Sequence, residues 1–240
     1  MDMKALIFTS VILAVVCGTW GDSQRRKNSA PVARKMPSLE EKLATLKKCG
    51  IGLTPPYTVK DLLESIDRQT LEMPGYDMLL VSLGSSDEEP YRKLSVNVWY
   101  LDTETIYDNG DYKQIAERLV EMTQGALVLQ DIKDHVDFSK AEAWISFTFK
   151  GRPMKVNLAI NDDWVDTRIF AMFVELLKES DPSKIYLYND FGGGGQDCVI
   201  SCVKKTELEC LKRAGIKFVP LTGPANFAAA GFKESGAATQ

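Results

Sequence analysis

Three features of the sequence predict an α+β fold built on a largely antiparallel mixed sheet with helices packed on one face. Two strictly alternating apolar runs, Ala143 to Phe149 and Met154 to Ile160, are joined by Lys150-Gly151-Arg152-Pro153 as a tight hairpin. Single helices carrying their own start and stop signals interrupt such strand pairs, whereas a doubly wound fold would alternate helix and strand one for one. The 240 residues are 45% hydrophobic and 26% charged, a globular composition long enough for a core that needs no metal or disulfide staple.

The elements follow in order. Ser38 with Glu41 forms a capping box, and Gly50 is placed to end that first helix. Thr58 opens a second helix through Ile66. Tyr76 to Leu83 is nearly all apolar and reads as a strand covered on both faces. Leu94 to Tyr100 alternates, with Val96, Val98 and Tyr100 opposite Asn97 and Trp99. Asp111 caps a third helix, whose stripe is Tyr112, Ile115, Leu119 and Met122 and whose stop is Gly125. One more strand lies within Leu127 to Phe138. Ile169, Phe170, Phe173, Leu176 and Leu177 stripe a fourth helix. Lys184 to Asn189 and Cys198 to Val203 pair across a glycine-rich loop. Thr206 and Glu209 cap a fifth helix that Gly215 ends, and Ile216 to Leu221 closes the fold. The order β-β-α-β occurs twice, from about 76 and from about 143, as a diverged duplication would arrange it.

The ends are of different character. Lys4 precedes an apolar run from Ala5 to Cys17, too short to span a bilayer and suited to a signal peptide over residues 1–21. Cleavage after the small residues near Gly18 or Gly21, or lipidation of Cys17, are both open. A secreted, periplasmic or envelope location is expected. Residues 22–37 read as a linker of net charge +4, leaving −8 on residues 38–240. Its basic stretch, 25–35, offers weak contact with an anionic envelope or membrane surface. Residues 38–222 are expected to form a single domain, and 223–240 a disordered tail. With a net charge of −4 and a pI near 5.2, nucleic acid is not an expected partner.

Four groups of residues are candidates for chemistry. Gly192 to Gly195, followed by Gln196, Asp197 and Cys198, and preceded by Asp190, could aim backbone amides at an anion. Context argues against a phosphate cradle: no Lys-Ser/Thr follows, and the next element reads as a strand, so a hairpin loop is the plainer reading. Cys49, Cys198, Cys202 and Cys210 remain after signal removal. Cys198 and Cys202 share a strand face about 13 Å apart and cannot bridge each other. Pairing of Cys49 or Cys210 with a strand cysteine is open in an oxidising compartment.

A thiol hydrolase would use Cys198 as nucleophile and His135, the one histidine, as base, oriented by Asp134 or Asp137. Asp162, Asp163 and Asp166 around Trp164 could hold a divalent cation or a small polar ligand. The competing reading has them capping the helix that begins near Asp166, with Trp164 packed as a staple. The acidic run Ser85 to Pro90 and the carboxylates Asp102, Glu104, Asp108 and Asp111 would offer a surface to a basic protein if they gathered on one side.

Asp111-Tyr112 opening a helix, Asp162-Asp163-Trp164-Val165-Asp166 and Gly194-Gly195-Gln196-Asp197-Cys198 together resemble an uncharacterised bacterial α+β domain family. The resemblance spans Gly50 to Leu221 and implies a bacterial source and one folded unit, with no activity attached. With one histidine and no nucleotide or metal motif, the sequence points to an exported non-catalytic module that binds another protein and carries no cofactor. A thiol hydrolase at Cys198 and His135, and a ligand site at Asp162, Asp163 and Asp166, are the alternatives.

Overall fold

The computed structural model describes residues 36–87, 92–192 and 195–227. Residues 1–35, which take in the expected signal peptide and the basic stretch 25–35, lie outside the described residues, as do 88–91, Gly193, Gly194 and 228–240. Of the tail expected to be disordered from 223 on, residues 223–227 are described and include a short helix. Those described from Met36 onward fall in one compact unit.

The chain runs α1 (Leu39–Lys48), α2 (Val59–Ser65), α3 (Arg68–Leu71), α4 (Asp77–Gly84), β1 (Ser86–Asp87), β2 (Arg92–Lys93) and β3 (Val98–Asp102). It continues with α5 (Asp111–Met122), β4 (Leu129–Asp137), β5 (Glu142–Phe149), β6 (Arg152–Leu158), α6 (Arg168–Ser180) and β7 (Lys184–Asn189). The last elements are β8 (Asp197–Lys204), α7 (Lys205–Arg213), β9 (Val219–Pro220) and α8 (Pro224–Phe227). All pairings are antiparallel: a four-stranded sheet ordered β3-β8-β7-β9, a three-stranded meander β4-β5-β6, and the small hairpin β1-β2.

Alternation along the strands sorts the core into two clusters. Leu101, Tyr186, Tyr188, Cys198, Ile200 and Cys202 face α5, α6 and the inner side of the meander. Val98, Leu187, Val199 and Val203 face α1, α2, α4 and α7. The layers are thus helix, sheet, helix, sheet. The α+β class and the antiparallel pairing are as the sequence predicts. The one-face arrangement holds for the meander, whereas the four-stranded sheet carries helices on both faces. Continuous apolar runs such as Cys-Val-Ile in β8 are the sequence mark of such double covering.

Helix signals were the most legible. In α1 the Ser38 hydroxyl accepts from Glu41 N and the Glu41 carboxylate accepts from Ser38 N at 2.8 Å. At its end Gly50 N donates to Lys47 O and Ile51 N to Leu46 O, the paired closure a left-handed glycine makes possible. The start of α7 shifts: Lys204 N donates to Glu207, and Thr206 lies inside the first turn. Asp111 is the first residue of α5 and caps nothing in it; its carboxylate accepts from Tyr107 N and Asp108 N. The orphan amides of α5 go to Asp134 on β4, which accepts from Gly110 N and Lys113 N.

The largest departure is residues 76–83, which form helix α4 and not a strand. Leu79, Leu80 and Leu83 face the core while Asp77 and Met78 are exposed, and in so short a run two polar residues, Asp77 and Ser82, are too few to set a helical period apart from a strand. Its last residue, Gly84, lies against β3, where a Cβ would sit 2.5 Å from Tyr100 N. With that strand gone, the proposed β-β-α-β duplication loses its first member. Two other strands are shorter than expected. Leu94 to Tyr100 becomes β3 at 98–102, because Ser95 and Asn97 spend their polar groups on buried side-chain bonds. Ile216 to Leu221 pairs only at Val219 and Pro220. The hairpin turn is just Lys150 and Gly151, both at positive φ, so β6 already begins at Arg152.

A disulfide joins Cys49, after α1, to Cys210 in α7, with Cα atoms 5.3 Å apart. Neither helix cysteine reaches a strand cysteine, because Cys198 and Cys202 point into the opposite core cluster. The bond closes a separation of 161 residues. Replacing both partners, Cys49→Ala with Cys210→Ala, should lower the unfolding free energy by about 2–5 kcal/mol, read by urea denaturation of oxidised wild type and variant.

Candidate functional site

The four-stranded sheet ends on one side in a ring of carboxylates, and backbone pairing explains how they meet. Thr103, just past β3, donates from N at 3.1 Å and from Oγ1 at 2.7 Å to Gln196 O, at the close of the glycine loop. Its own carbonyl accepts from Val165 N, while Ile106 N donates to Asp163 O, both at 2.8 Å. A bridge between Glu104 and Trp164 completes the seam. The segment 102–107 is therefore wedged between the glycine loop and the Asp162–Asp166 loop. It gathers Asp102, Glu104, Asp162, Asp163, Asp190 and Asp197 at one edge.

Charge at this edge is uncompensated. Asp102 lies directly opposite Asp197 in the β3–β8 register. Between the strands the Gln196 side-chain amide lies 3.3 Å from each Asp102 oxygen and the Tyr100 hydroxyl bonds to Asp197, both of them uncharged partners. Among the described residues no lysine or arginine forms an ion pair with any of the six. The Glu104 carboxyl is raised above its ordinary value by burial first, then by Asp163, Asp102, Asp162 and Asp197. The Tyr100 hydroxyl is pushed up to about 12 by burial and by Asp197. Tyr107, 64% exposed, stands over the edge with its hydroxyl on Glu104 O at 2.8 Å.

The remaining candidates are placed as follows. Asp166 is turned away from Asp162 and Asp163. It accepts from Ala159 N at 2.7 Å and Arg168 N at 3.0 Å, and it holds the Arg168 guanidinium. It alone of the three performs the capping expected of them. Trp164 joins the Glu104 bridge, so its backbone ties two loops and does not lead into α6 as a staple would. The three aspartates do not converge, and among the described residues no group of three His, Cys, Asp or Glu is arranged to hold a metal ion. In the glycine loop Asp190 accepts from Gly192 N, an ordinary turn bond. Of the acidic run at 85–90, Ser86 and Asp87 pair as β1 with β2, where Arg92 bonds Glu64 and Lys93 bonds Glu121 near the far end of α5; residues 88–91 lie outside the described ones.

Cys198 and His135 are kept apart by a layer of the fold. Cys198 is 1% exposed on the inner face of the four-stranded sheet, and burial pushes its thiol far above the ordinary range. His135 is on the outer face of the meander beside Trp144, with ring centroids 5.6 Å apart. Neither neighbouring aspartate orients it, since Asp134 caps α5 and Asp137 binds Ser139 and Lys140. A thiolate–imidazole pair needs hydrogen-bond reach, and this arrangement does not give it.

No known protein family, curated protein or solved structure matches this chain.

Two outcomes follow. Iodoacetamide at pH 8 should leave Cys198 unmodified in the native protein and label it with Cys202 after denaturation, read by peptide mass mapping. For Glu104, a raised folded-state pKa means the folded chain holds a proton that the unfolded chain releases. The Glu104 contribution to stability therefore grows as pH falls through its folded-state pKa, and Glu104→Gln should remove that contribution in thermal melts compared with wild type.

Proposed function

We propose that this chain is an exported, non-catalytic module that binds a basic partner protein through the acidic edge of its four-stranded sheet. The observation that carries this reading is the Asp102–Asp197 cross-strand pair, left without a cation among the described residues. Like charges directly opposite each other weaken a sheet. A row of lysines or arginines from a partner would relieve that repulsion, speed encounter and set orientation. Tyr107 adds the exposed aromatic that anchors many such interfaces.

Export is supported by the short apolar run at the amino terminus and by the Cys49–Cys210 disulfide, a bond that persists in oxidising compartments. The absence of catalysis is supported by the buried Cys198 and the distant imidazole. Inhibition of a basic enzyme is one job such an edge would do well.

The test is a triple substitution, Asp102→Asn, Asp163→Asn and Asp197→Asn. Removing the repulsion should raise Tm by about 2–4 °C while weakening capture of basic proteins from the native envelope fraction. Binding of the purified partner should fall steeply between about 0.05 and 0.5 M salt. A partner that binds the triple variant as tightly as wild type would sink the proposal.

A further inference from the structure

A second surface, sharing no residue with the acidic edge, lies where β6 runs beside α6. A groove of about 480 Å³ opens there, floored by Met154, Met172 and Leu176 and rimmed by Arg152, Glu175, Lys178 and Glu179. One wall is an edge strand: among the described residues β6 pairs only with β5. We propose that the carboxy-terminal stretch 228–240 of this same chain occupies the groove, with Phe232 seated against the two methionines.

The point where the described chain stops favours this occupant. Gly223 is pressed against α6, where a Cβ would lie 2.6 Å from Ala171 Cβ, the residue next to Met172. The Asn226 side chain then fastens α8, accepting from Thr222 Oγ1 at 2.9 Å and donating to Pro220 O at 3.1 Å. The chain is thus released beside α6 at Phe227. Five residues on, at most about 17 Å of extended chain, comes Phe232. It is the one large apolar side chain in the stretch, and an aromatic ring against thioether sulfur is a favourable contact.

Charge is compatible with the assignment. Lys233 and Glu234 follow Phe232, and the rim presents both signs as the ion pairs Arg152–Glu179 and Lys178–Glu175, with which a neighbouring pair of opposite charges can join. A short tether also keeps the effective concentration high, so modest contacts suffice. A second copy is a poorer fit: antiparallel pairing of β6 with its twin about the strand centre would set Lys155 against Lys155, and Pro153 removes a donor.

Methionine oxidation in the full chain tests this. Under dilute peroxide, Met73, 53% exposed, serves as the reactive reference, and the fully buried Met122 reports that the fold is kept. Relative to Met73, Met154 and Met172 should oxidise about fivefold more slowly in wild type than in Phe232→Ala, with Phe232→Leu restoring protection. In the wild-type chain a nuclear Overhauser contact between the Phe232 ring and the Met172 methyl is expected. Equal oxidation rates in wild type and Phe232→Ala, or absence of that contact, overturn the proposal. Protection that grows with protein concentration overturns it too, by assigning the groove to a second copy.

Discussion

Residues 95–98 form a polar crossing on which both halves of the core depend. Arg118, reaching in from α5, donates to the carbonyls of Ser95 at 3.0 Å and Val98 at 2.6 Å. The Asn97 side-chain amide donates to Gly50 O, just past α1, and to Cys202 O on β8, while its backbone carbonyl accepts from Cys202 N and Ser201 Oγ. One buried side chain therefore ties the first helix to the central strand, and one buried guanidinium ties the helix on the opposite face to the same segment. Each such group would cost about 1–3 kcal/mol if left unpaired, and among the described residues no buried side-chain polar atom is. Glu121 completes the arrangement by holding Arg118 at 2.8 Å.

That central anchorage explains how the sheet tolerates repulsion at its margin. Asp102 and Asp197 close the same two strands that Asn97 and Ser201 lock a few residues earlier, so the strain stays local. Edges built this way exchange a little stability for a field that reaches into solvent. Nothing comparable marks the outer face of the meander, where Lys155 sits 4.2 Å over the Trp144 ring and charge is balanced nearby.

How much could be read in advance varied with the physics of each signal. Caps and glycine stops are local, so α1 and the ends of α5 and α7 could be placed to within a residue or two. Alternation gave β5 and β6, because one face of the meander is wet. The same logic fails for the short run 76–83, where Asp77 and Ser82 are too few to mark the helical period of α4. Arg118 and Asn97 carried no signal at all, since a charged or amide residue on an amphipathic element is normally read as surface. At the acidic edge the individual carboxylates are visible in the sequence, and their gathering on one side is not. Their actual meeting depends on Thr103 bonding to Gln196 and Val165, backbone contacts between segments about 60 and 90 residues apart that no pattern encodes. The disulfide was hidden for a related reason: which face of β8 holds its cysteines decides which partners are within reach.

The loan of Asp134 to α5 couples two elements that are distant in the chain. Its carboxylate accepts from Gly110 N, 24 residues earlier and just before the helix, and Asn109 returns the favour by accepting from Val136 N at 2.8 Å. Neither the helix start nor the first meander strand is complete alone. The two are therefore coupled: freeing either one leaves unpaired amides on the other.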